Sequence, residues 1–285
     1  MDQILTVMIK VGEYNTLKVI RKAGPGLYLE DGGEGILLPN RFVPVGAKTG
    51  DELTVFVYHD SDNRLIATTL TPKAVVGDIA VMKVISVSDH GAFLDWGLMK
   101  DLLVPKSQQL TYMRLGGEYL VKLYIDKQTG RVAATEKIDG FLSNEDLTVK
   151  EMDEVDLMVY RSSDLGYVVI INDRHIGLLY DNEVFQDLNP GDKLKGFIRK
   201  IREDGKIDVV AGKRGYERVE DETAKILRLL KENGGYLPLH DKSDPGEIYE
   251  ALGMSKKTFK MTTGALYKQR KIELTKTGIK LVENQ

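Results

Sequence analysis

Apolar and polar positions alternate with period two in short runs over most of the chain, and one arrangement of these runs occurs three times. An acidic pair opens each copy, at Gly12-Glu13, Gly77-Asp78 and Asp153-Glu154, and an alternating apolar stretch follows. A glycine then begins a second strand: Gly26-Leu27-Tyr28-Leu29, Gly91-Ala92-Phe93-Leu94 and Gly166-Tyr167-Val168-Val169. A third short strand reads Gly35-Ile36-Leu37-Leu38-Pro39, Asp101-Leu102-Leu103-Val104-Pro105 and Ile176-Gly177-Leu178-Leu179. Turns at Gly50-Asp51, Gly117-Glu118 and Gly191-Asp192 lead into a fourth, spanning Leu53 to His59, Tyr119 to Ile125 and Leu194 to Lys200. Polar turns ending at Arg64, Arg131 and Lys206 precede a fifth. The two opening signals stand 38, 40 and 38 residues apart in the three copies, a spacing too regular for chance. Five short alternating strands with glycine at the bends predict a small closed barrel of the OB type.

After Gly215 the period becomes helical. Ile226, Leu229 and Leu230 follow an acidic start at Glu220-Asp221-Glu222, which suits a helix N-terminus. Gly234-Gly235 stops that helix, and Tyr236 to Leu239 reads as a short strand. Asp244-Pro245 caps a second helix through Leu252, and Ser255 caps a third that runs to about Gln269. Ile272 to Leu274 and Ile279 to Val282 form a hairpin, so the order is that of a winged helix. The predicted fold is mainly β: three five-stranded OB-type barrels in tandem at 1–74, 75–145 and 146–219, then an α+β winged-helix domain at 220–285. Each barrel, about the smallest unit that buries a core unaided, is expected to fold separately.

Composition narrows the setting. The 285 residues include no cysteine, which excludes disulfides, thiol nucleophiles and cysteine-bound zinc and fits a reducing compartment. No apolar run approaches the roughly 20 residues of a membrane span, and Met1 to Lys10, with Asp2, does not read as a signal peptide. A cytoplasmic protein is expected, with no membrane partner. The net charge of −3 hides an uneven distribution: residues 221–285 hold 12 Lys+Arg against 9 Asp+Glu, net +3, and the other 220 hold 28 against 34, net −6.

The second copy, with His90-Gly91-Ala92-Phe93-Leu94-Asp95 and later Ile125-Asp126 through Arg131, resembles an S1-type RNA-binding domain. The first and third resemble divergent members of the same type. Three such domains followed by a winged helix resemble, over essentially the whole chain, the bacterial family called conserved virulence factor B. Members are regarded as RNA-binding proteins that influence gene expression, so the resemblance implies single-stranded RNA as the partner and a post-transcriptional role. Carried over by position, it implies RNA contacts at His90, Phe93, Val104, Asp126 and Arg131 in the second copy, with Val104 standing where the domain type usually has histidine. The first copy offers Pro25, Tyr28, Asp60 and Arg64; the third offers Leu165, Val168 and Lys206 and no matching acid.

The chemistry fits that expectation. Single strands need flat apolar faces for bases and cations for phosphates. His90 and Phe93, three apart, do not share a face of a regular strand, and a bulge at Gly91 would bring both rings outward; without one, Phe93 is core. On the third predicted helix Lys257, Lys260, Gly264 and Lys268 share one face, with Phe259, Thr263 and Leu266 opposite. Arg270, Lys271, Lys276 and Lys280 extend the positive surface, for contact with phosphates or for docking on the barrels. The alternative is a DNA-binding transcription regulator in which Ser255 to Gln269 enters a major groove and the barrels bind a protein. Catalysis finds little support: the four histidines lack metal-ligand spacing and no phosphate-cradling glycine loop is present. A non-enzymatic protein without cofactor or metal is expected, its oligomeric state open.

Overall fold

The computed structural model describes residues 8–181, 184, 187–212 and 215–282. It is mainly β, with three five-stranded barrels in tandem and a C-terminal winged helix. The described chain falls into two compact units, dividing after Phe141.

In the first unit, barrel 1 comprises β1 (Glu13–Ala23), β2 (Gly26–Leu29), β3 (Ile36–Pro39), β4 (Glu52–His59) and β5 (Leu65–Thr68), closed in the order β1-β2-β3-β5-β4. Barrel 2 repeats it with β6 (Ile79–Val87), β7 (Gly91–Leu94), β8 (Leu102–Pro105), β9 (Glu118–Ile125) and β10 (Val132–Thr135), in the order β10-β9-β6-β7-β8 with β8 and β10 side by side. Each first strand is long because it serves two partners. Glu13–Lys18 pair with β4 and Val19–Ala23 with β2; Ile79–Lys83 pair with β9 and Val84–Val87 with β7. A bulge at Ile20, and again at Ile85, falls at the handover and bends the strand around the barrel corner. The bulge thus lies on the neighbouring strand and not at Gly91. Glycine stands at Gly91 for a different reason: a Cβ there would sit 2.1 Å from the Val104 carbonyl oxygen, and one at Gly26 2.0 Å from that of Leu38.

The two barrels share a core. In β4, Val55 and Val57 point into barrel 1, while Phe56 and Tyr58, on the outer face, are also buried, in one cluster with Trp96 and the interior of barrel 2. The Trp96 ring meets Phe56 edge-on at 5.5 Å and Tyr58 at 6.0 Å, and its indole N–H donates to the Ala74 carbonyl at 2.8 Å. Such aromatic pairs contribute about 0.5–1.5 kcal/mol each beyond the area they bury. Polar ties add direction: Lys100 Nζ donates to the His59 and Asp60 carbonyls at 3.0 and 2.8 Å, and Val76 N to the Gly12 carbonyl at 2.9 Å. The expectation that each barrel folds separately left this outer face out of account.

In the second unit, barrel 3 comprises β11 (Glu154–Ser163), β12 (Gly166–Ile171), β13 (His175–Tyr180), β14 (Lys193–Ile201) and β15 (Ile207–Ala211), closed in the order β11-β12-β13-β15-β14, with the same bulge at Tyr160. The segment before it straps the barrel. Asn144 bonds both backbone groups of Ile176, and the buried His175 ring reaches the Ser143 carbonyl at 2.6 Å and the Thr148 hydroxyl at 2.8 Å.

The winged helix contains α1 (Gly215–Glu232), β16 (Tyr236–Leu237), α2 (Pro245–Leu252), α3 (Lys256–Lys268), β17 (Ile272–Leu274) and β18 (Ile279–Leu281). Asp244 caps α2 by accepting from Gly246 N at 2.7 Å, and Ser255 caps α3 by accepting from Thr258 N at 3.0 Å. The acidic triplet read as the start of α1 lies inside it, since the helix begins at Gly215. Ile226 and Leu230 of α1 pack with Ile248, Phe259 and Leu266 over the β16-β18-β17 sheet. No helix among the described residues is long and apolar enough to cross a membrane.

Candidate nucleic-acid interface

Side chains paired across neighbouring strands share a face, and the register lines up an outward row of three in every barrel. In barrel 1 the row is Arg21, Tyr28 and Leu37; in barrel 2, Ser86, Phe93 and Leu103; in barrel 3, Arg161, Val168 and Leu178. Phe93 is half-buried and flanked along β7 by the fully buried Ala92 and Leu94, so its ring is an outward platform on a rigid strand. His90 lies in the bend before β7, where Ser88 N donates to the Gly91 carbonyl at 2.8 Å, and is exposed. Strand alternation therefore does not govern it, and both rings reach the surface.

Val104 takes no part in this surface. It is fully buried in the barrel 2 core, and the outward residue of β8 is Leu103. Leu102, Leu103 and Val104 are all apolar, so the pattern gave no parity for β8 and the carry-over slipped by one. Arg21 was missed by the sequence reading. Its guanidinium lies 3.4 Å over the Tyr28 ring, making one composite platform. A bulge just before a basic residue facing an aromatic is the signal that would have found it.

The polar side chains of the fifth-strand turns are bonded within the turns. Asp60 Oδ1 accepts from Asp62 N and Arg64 N, both at 2.9 Å, and Arg64 donates from Nε and Nη2 to Asp60 Oδ2 at 3.0 and 2.9 Å, with a further contact to Asp62 at 2.6 Å. Asp126 closes its own turn, accepting from Thr129 N at 2.8 Å, the Thr129 hydroxyl at 3.0 Å and Gln128 N at 3.0 Å, and these bonds hold its carboxyl below the usual range. Arg131, at which the resemblance implies an RNA contact, is half-buried and donates from Nε to Asn63 of barrel 1 at 2.6 Å. It ties the barrels together. In barrel 3, Arg202 occupies the place of the acid and bonds Asp208 and Tyr180, while Lys206 pairs with Asp204 at 3.1 Å.

The winged helix is different. Lys257, Lys260, Lys268, Arg270 and Lys271 are exposed, and among the described residues none of their side chains forms an ion pair or hydrogen bond. Gly264, on the same face of α3, has open space above it, and Phe259, Thr263 and Leu266 are buried opposite. Arg270 adopts a left-handed backbone with φ 58°, just beyond the end of α3. Arg64, Arg202 and Lys206 of the barrel turns are paired with carboxylates; these five cations are left to solvent. Among the described residues no group of three or more His, Asp or Glu is placed to hold a metal ion.

Comparison with known proteins agrees with this architecture. The S1 domain family matches residues 11–70 and 76–136, and the CvfB-like winged helix domain matches 224–281. An uncharacterized Bacillus subtilis protein, YitL, is 29% identical over 274 residues, 93% of this chain and 91% of its own. Conserved virulence factor B of Staphylococcus epidermidis is 29% identical over 293 residues, 96% of this chain and 98% of its own. A solved multidomain protein from Streptococcus pneumoniae, described as having nucleic acid binding domains, aligns with 95% of this chain and 98% of its own at 24% identity, with a TM-score of 0.42. The chain is a homologue of the conserved virulence factor B proteins, with S1 domains in its first unit and a CvfB-like winged helix at its C-terminal end.

Proposed function

We propose that this protein binds single-stranded RNA, without catalysis or cofactor, and acts in the cytoplasm on gene expression after transcription. The observation that carries the reading is the five-cation face of Lys257, Lys260, Lys268, Arg270 and Lys271, unneutralised in a chain whose net charge is −3. Phosphates are its natural counterions. The barrels supply what phosphate contact lacks: Phe93 with His90 in barrel 2 and the Arg21–Tyr28 platform in barrel 1 offer flat faces to unpaired bases, each worth about 1–3 kcal/mol when stacked. Barrel 3, with Val168 at the equivalent position, contributes least to stacking.

The geometry of α3, exposed along one face and capped at Ser255, also suits a duplex groove. A competition titration of the full chain with single-stranded RNA, single-stranded DNA and duplex DNA decides between the two. Preference for single-stranded RNA supports the proposal. Preference for duplex DNA, with His90→Ala and Phe93→Ala silent, replaces it with the groove-binding reading.

A further inference from the structure

Barrel 2 has a second aromatic surface, away from the β7–β8 row. On β9, Val121 and Leu123 point inward and Lys122 and Tyr124 outward. A short 3-10 turn, Ile138–Phe141, brings Phe141 beside them, its ring centroid 6.0 Å from that of Tyr124. Lys122 Nζ lies 5.6 Å over the Phe141 ring and donates to the Gly77 carbonyl. These groups line an open cleft of about 750 Å³, with Gln108, Lys127 and Gln128 on its rim. Phe141 remains 47% exposed.

This combination goes beyond an apolar patch. Three kinds of group converge: a ring with a free edge, amide side chains that both donate and accept, and lysines beside them. An unpaired nucleotide uses all three, with its base on the ring, its edge on the amides and its phosphate on the lysine. The cleft volume falls in the range of small-ligand pockets, with room for one nucleotide. The sheet order sets β9 two strands from β7, with β6 between them, so a chain using both surfaces wraps around the barrel.

We propose that this cleft is a second nucleotide site of barrel 2, in which one base of a single strand stacks on Phe141 beside Tyr124 and its phosphate meets Lys127. The inference rests on the single-strand reading above and adds a site to it. The test uses the full chain and a short fluorescent oligouridylate. Phe141→Ala weakens binding about tenfold, the loss of one effective stack, and Lys127→Ala weakens it less. In a Phe141→Trp variant, the same RNA unlabelled quenches the new indole on stacking, while Trp96, 3% exposed, stays silent. If the wild-type chain binds the RNA and Phe141→Ala binds equally, with no quenching of the indole, the site is refuted and the function stands. If the wild-type chain binds no single strand at all, both fall.

Discussion

Arg270 offers the sharpest test, because its two roles pull in opposite directions. Its φ of 58° is the conformation in which helices end on glycine, with its N–H bonded to the Tyr267 carbonyl at 2.9 Å and Lys271 N to that of Leu266 at 3.0 Å. A side chain there costs about 1–2 kcal/mol relative to glycine, of which roughly half is offset by the greater freedom glycine has in the unfolded chain. Arg270→Gly should therefore stabilise the winged helix by about 0.5–1 kcal/mol. Since the one tryptophan, Trp96, lies in barrel 2, fluorescence is blind to this domain. Hydrogen exchange is the right assay: amides of Phe259 and Leu266, on the buried side of α3, should exchange about two- to fivefold more slowly. The same variant should bind RNA more weakly, with the slope of log K against log salt reduced by about 0.7 for one lost single-strand phosphate. Slower exchange with unchanged affinity and slope would show that the arginine meets no phosphate. Faster exchange would refute the backbone argument itself.

Four other outcomes follow from the geometry. Trp96→Ala should destabilise both first barrels together by about 3–5 kcal/mol, read by far-UV circular dichroism in urea, whereas a loss confined to one barrel would deny the shared core. Arg21→Ala and Tyr28→Ala should cost similar affinity, and the double variant little more, because guanidinium and ring form one platform; additive losses by calorimetry would separate them. Burial first, then the charges of Arg131 and Lys100, push the His59 imidazole below its ordinary 6.5, against a smaller opposing pull from Asp60. The unfolded chain thus takes the proton first, so stability of the first unit should fall as pH drops below about 6.5 and level off below the folded value, and His59→Gln should remove that dependence. Deleting 221–285 should weaken RNA binding and flatten its salt dependence by about 0.7 per lost phosphate contact, an unchanged slope assigning the basic face to another task.

The repeat made the barrels legible. Period-two alternation, glycine at the second strand and evenly spaced turns located all three, and the caps at Asp244 and Ser255 fixed α2 and α3 to within a residue. What escaped was what depends on a neighbour. Val55-Phe56-Val57-Tyr58 is an unbroken apolar run, the mark of a strand covered on both faces, and the repeat pattern alone predicts one more alternating strand there. Arg131 and Asn63 are 68 residues apart, and no local pattern couples them. The outward placement of candidate rings was legible where ring and strand parity sufficed, at Phe93 and Tyr28. It failed where an all-apolar strand left parity undetermined, at Val104.

The weld between barrels 1 and 2 makes the first unit a ruler. With Phe56, Tyr58 and Trp96 locked in one core, the separation of the Tyr28 and Phe93 platforms is set by protein packing and not by the strand proposed to bind them. An oligonucleotide too short to reach from one to the other gains a single stack; one just long enough gains the second at high effective concentration. Affinity should then climb in a step at one length instead of rising smoothly with every added nucleotide. Substitutions that loosen the tryptophan joint should blur that step before they weaken either platform.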